Sequence, residues 1–453
     1  MNNNKLGGSN LIFPELDLKN VSLSGNGLKT LCYNAFTNLK NVTIINLLNN
    51  NLTSVDLLID GFATPAYNFT GLSTSIGEKQ LKVDRNTKLT IKKYGACPKN
   101  CTCNCYEVTC VNTDLDNVIS TVVDLKVAKF SIRDTPIRHI KKLPMLNVVV
   151  IELSHCELET IEENAFDNIP MLTNLTLDYN FLTEIPKLGK MKSLLKFSAR
   201  KNKISKVSKQ LLSHRVTHID LSHNLLDNVD FLKPTNATLQ RLDLSHNFIR
   251  RFVISNFSEL TYVNLNGNLL GTEESVVLNN ISKLEVLGLA ENSIRHLNVL
   301  RISDTPIKKL RLNQNLLYSQ LDFTNYTSLT VLDLDDNMLT TLPIMPANLE
   351  VLWLNDNQLK SSNVIFPPLK LEFIYLAGNH MDPLPFSAVV NLKNLKYVNL
   401  AENNFHDVNG LLLPPHQTSE PYGYASQMPY SVGWPYLESE IDGYYSQYST
   451  PFG

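Results

Sequence analysis

The chain has 453 residues, 43% of them hydrophobic and 19% charged, with a formal net charge of −2 at pH 7. That apolar fraction supports a packed core rather than a disordered chain, and the near-neutral balance gives no bulk attraction to nucleic acid or to anionic membrane. No run approaches the ~18 apolar residues of a membrane helix, so no transmembrane segment is read in this chain.

Leu and Asn together exceed a quarter of the residues, which directs attention to repeats. The chain opens MNNNKLGGSNLIFPELDL, with no basic segment leading into an apolar one, so no signal peptide is read and the start looks truncated. VSLSGNGL (21–28) and IINLLNNNL (44–52) then share a frame, with Asn26 and Asn50 at one position. Residues 57–96 lose that frame and carry Gly, Ser, Thr and Lys, which predicts a linker after a partial upstream block at 1–56. Two repeats fall short of the roughly three needed for stability. The block is either the remnant of an upstream solenoid, the favoured reading, or a join of unrelated exons.

Five of the seven cysteines follow within a short stretch: Cys97, Cys101, Cys103, Cys105 and Cys110 in ACPKNCTCNCYEVTC. A zinc site and a disulfide cap both use such clusters. The lack of a nearby His and the repeat array downstream favour a cap over 97–120, and sequence alone leaves its connectivity open.

From 121 to 410 the unit apolar-x-Leu-x-x-Asn-x-apolar recurs, as in IDLSHNLL (219–226), LDLSHNFI (242–249), VNLNGNLL (263–270) and LDLDDNML (332–339). Its Asn position is held by Thr135, Cys156, Asn180, Asn202, Asn224, Asn247, Asn268, Asn292, Asn315, Asn337, Asn357, Asn379 and Asn403, about 13 repeats. Apolar residues two apart, such as Leu242 and Leu244, share one face of a short strand and point inward, and Phe248 and Ile249 are expected to close the turn. One coil cannot bury that face alone, so neighbours stack. The Asn amide, with donors and an acceptor, is placed to bond the backbone of adjacent coils. Cys156 takes the ladder position as a small buried thiol, and Cys32 is read as structural. The outer segments TIEENAFDNIPML (160–172), IPKLGKMKSL and LPIMPANLEV are mixed in type, which predicts extended or 3-10 backbone rather than uniform helix.

Residues between the inward leucines point out of the sheet: Glu152, Thr176, Ser198, Asp220, Asp243, Asn264, Gly288, Arg311, Asp333, Trp353, Tyr375 and Asn399. The face is basic around Lys196, Arg200 and Lys201. It turns acidic around Asp333, Asp335, Asp336 and Asp356, beside Trp353, Tyr375 and Tyr397. Exposed aromatics are enriched at interface centres. The predicted ligand-binding residues are therefore Trp353, Tyr375, Tyr397, Arg311, Asp333, Asp335 and Asp356. His223 and His246 recur at one repeat position with His155 and are expected to stack; neither they nor the acidic cluster has the spacing of a metal site. No P-loop, H-E-x-x-H, G-x-S-x-G or dinucleotide fingerprint occurs. The expectation is a non-enzyme without cofactor or metal.

Residues 411–453 hold seven of the 17 tyrosines, six prolines and no Lys or Arg, the composition of a disordered tail. Its acid-flanked Tyr436, Tyr444 and Tyr445 are candidates for sulfation. Ten Asn-x-Ser/Thr sequons, at Asn20, Asn41, Asn51, Asn68, Asn100, Asn174, Asn236, Asn256, Asn280 and Asn325, are the glycosylation candidates.

The cysteine cluster followed by this array resembles extracellular leucine-rich-repeat proteins with an N-terminal cysteine cap, such as Slit-type proteins, small leucine-rich proteoglycans and Toll-like receptor ectodomains. The resemblance implies an α/β repeat fold, a right-handed solenoid or horseshoe with a parallel concave sheet and short irregular, 3-10 or helical convex segments. It also implies pairing of Cys97 with Cys103 and of Cys101 with Cys110. Cys105 departs from the pattern, leaving an intermolecular disulfide and a disulfide-linked or non-covalent dimer open. The cap favours an oxidising compartment, so the expected product is extracellular, secreted or a cell-surface ectodomain. The expected function is recognition of a protein or glycan ligand in innate immunity, receptor signalling or adhesion. The alternatives are a secreted matrix structural protein and an intracellular scaffold.

Overall fold

The computed structural model describes residues 97–404 apart from 104–106, 126, 186–187, 189–190, 208–214, 233–237, 303–304, 319, 383 and 385. Upstream it describes residues 3, 13, 16–28 and 44–52, with the backbone of strands at 39–40, 54–57, 67–70, 74–76, 79–82 and 88–91. Cys32, Cys105, Asn41, Asn236, Tyr436, Tyr444 and Tyr445 lie outside the described residues, and so does the side chain of Asn68. The chain divides into two compact units, Met1–Ser293 with Asn298–Ile307, and Ile294–Leu297 with Lys308–Gly453.

In the first unit, strand Cys101–Cys103 runs antiparallel to Glu107–Val111. Disulfides join Cys97 to Cys103 and Cys101 to Cys110. The helix Leu115–Leu125 follows, with Val118 and Val122 buried one turn apart. From Glu107–Val111 onward the sheet is parallel, through Lys129–Arg133, Val150–Ser154, Asn174–Thr176, Lys196–Ser198, His218–Asp220, Arg241–Asp243, Tyr262–Asn264 and Val286–Gly288. A second parallel sheet of Phe252–Ser255, Val276–Asn279 and Leu300–Arg301 lines the opposite side of three coils. The second unit stacks Lys309–Arg311, Val331–Asp333, Val351–Trp353, Phe373–Tyr375 and Tyr397–Asn399, again in parallel. Its outer segments hold 3-10 turns at Ser361–Asn363 and Phe386–Ala388.

From Asn180 onward the Asn ladder is unbroken within each unit. Asn247 Nδ2 donates to the Leu221 carbonyl of the coil before (3.0 Å) and to its own Leu244 carbonyl (3.0 Å), while its Oδ1 accepts the Leu226 N–H (2.9 Å). Asn224, Asn268, Asn337 and Asn357 repeat the arrangement. Upstream, Asn50 bonds the Leu23 carbonyl and the Leu28 N–H in the same way. Each amide therefore satisfies backbone groups that the bend would leave unpaired in a dry core. Cys156 is fully buried, its thiol donating to the Ile132 and Ser154 carbonyls at 3.4 and 3.3 Å, and burial pushes that thiol up to about 12.

Immediately before each ladder residue the backbone turns left-handed, at Gly25, Asn49, Asp134, His155, Tyr179, Lys201, His223, His246, Gly267, Glu291, Gln314, Asp336, Asp356, Gly378 and Glu402. A positive φ is uncommon outside glycine. It recurs here because the chain must reverse at one point per coil while presenting the Asn side chain inward.

Three expectations are corrected. Residues 57–96, expected as a linker, contain strands, and Lys79–Lys82 adds in parallel to Ile44–Asn46. The strand at Lys79–Lys82 forms without the Asn frame. Phe248 does not close its turn: it is 49% exposed while Ile249 is fully buried, because only one of two adjacent side chains can face inward. Asp333, expected at the surface, is buried (6% exposed) between neighbouring strands.

Candidate functional site

The column read from alternation is the sheet register. In the first unit Glu152, Thr176, Ser198, Asp220, Asp243, Asn264 and Gly288 lie opposite one another, and in the second Arg311, Asp333, Trp353, Tyr375 and Asn399 do. Outward residues on either side of this column form two more rows that the sequence reading did not use, although the same period-two rule finds them.

In the second unit Trp353 and Tyr375 are half-buried and stacked, with ring centroids 5.3 Å apart and 12° between planes. Tyr397, 45% exposed, opposes Phe373 rather than Tyr375 and reaches the Tyr375 ring diagonally at 5.5 Å and 48°. The three rings form one aromatic surface. Beside it, Asp335 accepts from the Asn355 N–H (2.6 Å) and Nδ2 (3.0 Å), and Asn355 Oδ1 accepts the Ala377 N–H (2.8 Å). Asp333 Oδ1 accepts the Asp335 N–H at 3.2 Å. Burial raises both carboxyls above the usual range. For Asp335 the neighbouring Asp333 charge adds to this, and for Asp333 the Arg311 guanidinium opposes it. Burial also raises the Tyr375 phenol, helped by Tyr397 and Asp335.

In the first unit the outward face carries Lys196, His218 and Arg241 in register. Arg241 stacks over the Tyr262 ring at 4.2 Å, and Arg200 Nη2 donates to the Tyr179 hydroxyl at 3.2 Å. Burial lowers His218 to about 4, with Lys196 and Arg241 reinforcing the shift. One coil before Arg200 lies Asp178, pushed up to about 7 by burial, with Ser198 Oγ (2.5 Å) and the Arg200 N–H (2.9 Å) donating to it.

The expected histidine stack is present, with His223 and His246 rings 4.1 Å apart at 14°; His155 stacks on Tyr179 at 4.3 Å. Face-to-face rings do not converge their nitrogens on one point. Among the described residues no group of three or more His, Cys, Asp or Glu side chains could hold a metal ion. No helix among them is long and apolar enough to cross a membrane. Of the sequons, Asn20, Asn51, Asn100, Asn256, Asn280 and Asn325 are exposed, while Asn174 is half-buried on the outward sheet face.

The Leucine Rich Repeat family model matches residues 238–260. The chain is 27% identical over 333 residues to transforming growth factor beta activator LRRC33 of Danio rerio, covering 66% of this chain and 44% of that protein. It thus spans less than half of that relative's length. It is 28% identical over 311 residues to lumican of Bos taurus, covering 64% of this chain and 84% of lumican. Among solved structures, the leucine-rich-repeat protein LIC12759 of Leptospira interrogans aligns with a TM-score of 0.55 at 23% identity, covering 86% of this chain and 85% of that one. Together with the Asn ladder, these matches show a leucine-rich-repeat fold, and the disulfide-bonded hairpin ahead of the main array is consistent with the cap of such proteins.

Proposed function

We propose that this chain acts by non-covalent recognition of a protein or glycan ligand on its outward sheet face, in an extracellular setting such as innate-immune recognition, receptor signalling or adhesion. The observation that carries the reading is the Trp353–Tyr375–Tyr397 surface, three aromatic rings in contact on a rigid strand scaffold. Large aromatics held this way supply contact area at low entropic cost and dominate interface energetics. Arg311, Asp333, Asp335 and Asp356 are the ionisable groups proposed to border it. The cap disulfides support the extracellular assignment, since such bonds persist in oxidising compartments.

The test is ligand capture on arrays of extracellular proteins and glycans by wild type and by the Trp353→Ala and Tyr375→Ala variants. Both substitutions remove half-buried rings from a preformed strand, so binding is lost while the thermal melt barely moves. Capture that survives both variants moves the site elsewhere. Free thiols at Cys97 and Cys101 in protein isolated from its source would favour an intracellular scaffold instead.

A further inference from the structure

The aromatic surface is bordered by a rail of carboxylates. Asp336, Asp356 and Glu402 occupy the left-handed position of their coils, the first two in adjacent coils and Glu402 two coils beyond Asp356, all exposed. Gly378 fills the same position in the coil between Asp356 and Glu402, and a Cβ there would collide with the Asp356 carboxylate. Asp356 therefore leans across the glycine toward Glu402. Burial, then the charges of Asp336 and Glu402, raises its carboxyl, as expected for like charges gathered at close range. Among the described residues no cation forms an ion pair with Asp336, Asp356 or Glu402. The nearby Lys396 is engaged by Glu372 at 2.6 Å.

An aromatic stack alone is indifferent to the sign of its ligand's charge, whereas the rail is not. Polyanions are repelled, and a neutral ligand leaves the mutual repulsion of the carboxylates in place. A cation relieves it, and can also lie over a ring face. Lysine supplies a compact charge only, while the guanidinium of arginine is planar, stacks on Trp and Tyr, and forks to carboxylate oxygens. The scaffold already uses one guanidinium this way, over the Tyr262 ring.

We infer that the Trp353–Tyr375–Tyr397 surface and the Asp336–Asp356–Glu402 rail together bind an arginine-bearing extended segment of a partner protein. This rests on the outward-face reading above and narrows it to one ligand chemistry.

The test uses the full chain carrying Trp434→Phe, which leaves Trp353 as the only tryptophan, titrated with an acetylated (Arg-Gly)4 amide peptide while Trp353 fluorescence is followed. The expected result is saturable quenching, weaker by severalfold with (Lys-Gly)4 and absent with (Ser-Gly)4. The triple variant Asp336→Asn, Asp356→Asn, Glu402→Gln loses at least tenfold in affinity at an unchanged melting temperature. Those substitutions are exposed and conservative in size, so folding is retained. Undiminished binding by the triple variant, equal binding of (Ser-Gly)4, or no response to (Arg-Gly)4 overturns the inference. A neutral peptide or β-glucan that binds wild type and is lost on Trp353→Ala refutes the cation inference while leaving the outward-face reading intact.

Discussion

Replacing one ladder amide isolates the interaction on which the repeat depends. In Asn247→Ala the Leu226 N–H loses its acceptor outright. The carbonyls do not become orphans: Leu221 still accepts from Asn224 and Leu244 from Asn268, because adjacent ladder amides share each of these, and Ser245, the weaker third contact at 3.2 Å, still accepts the His223 N–H. The cost is one buried unsatisfied donor at ~1–3 kcal/mol plus two weakened bonds at roughly 0.5 kcal/mol each, about 3 kcal/mol in total. Asn247→Asp should cost more at neutral pH, since a carboxylate then faces two carbonyls without a donor, and acidification should recover part of the loss. Asn247→Cys should fall below Ala. At the natural Cys156 the thiol reaches two carbonyls, and the corresponding Ile137 N–H is redirected onto the Cys156 backbone carbonyl at 2.9 Å. Equilibrium urea unfolding gives the ordering, and amide hydrogen exchange at Leu226 reports the orphaned donor directly. A cost below ~1 kcal/mol for Ala, or an Asp variant no worse than Ala at pH 7, refutes the shared-carbonyl account.

Three further outcomes follow from the geometry. Asp178 is raised to about 7 from 3.8, so above pH 4 the folded state holds a proton that the unfolded state has released, and stability falls as pH rises to 7. The shift corresponds to roughly 4 kcal/mol. Asp178→Asn, which keeps the Oδ1 acceptor for Ser198 and Arg200, should therefore gain on wild type between pH 4 and pH 8 in melts at matched salt; parallel curves would contradict this. Replacing Cys101 and Cys110 with Ser should cost about 2–5 kcal/mol in the cap. Contacts in a solenoid are between neighbours, so faster hydrogen exchange should be confined to 97–133, and acceleration at Leu244 would show longer coupling. Gly378→Ala combines a positive φ of 66° with a clash against Asp356, so it should lower the melting temperature by several degrees, and Gly378→Asn by less, because Asn tolerates that backbone. Equal losses would remove the backbone explanation.

The parts of the fold legible in the sequence are those written with a period. Leu242, Leu244 and Asn247 repeat in every coil, so strand, inward face and ladder could be placed without coordinates. The outward column followed from alternation alone. The cap pairing was legible only through resemblance, since spacing permits several connectivities. What escaped has no period or an ambiguous one. The helix Leu115–Leu125 occurs once, and its LDNVISTVVDL pattern reads equally as a buried strand. The convex sheet at Phe252–Ser255, Val276–Asn279 and Leu300–Arg301 spans three coils only. Burial of Asp333 depends on its neighbours across two strands, not on its own position. The left-handed column was hidden because His, Tyr, Lys, Glu, Gln, Asp and Gly all occupy it, so no residue type marks it.

That last indifference has a consequence for how such a surface changes. Each coil assigns two adjacent positions to different tasks: the Asn holds the bend, and the residue before it is displayed by the bend. The displayed side chain makes no contribution to closing the coil, so its chemistry is free to vary while the backbone beneath stays fixed. The stretch from His155 to His246 in the first unit displays mainly imidazoles and a lysine, and the stretch from Asp336 to Glu402 in the second displays mainly carboxylates, each at the same position of its coils. Within each unit the chemistry displayed at this position can thus change one coil at a time, wherever the new residue tolerates the left-handed backbone and, as at Gly378, does not meet its neighbour.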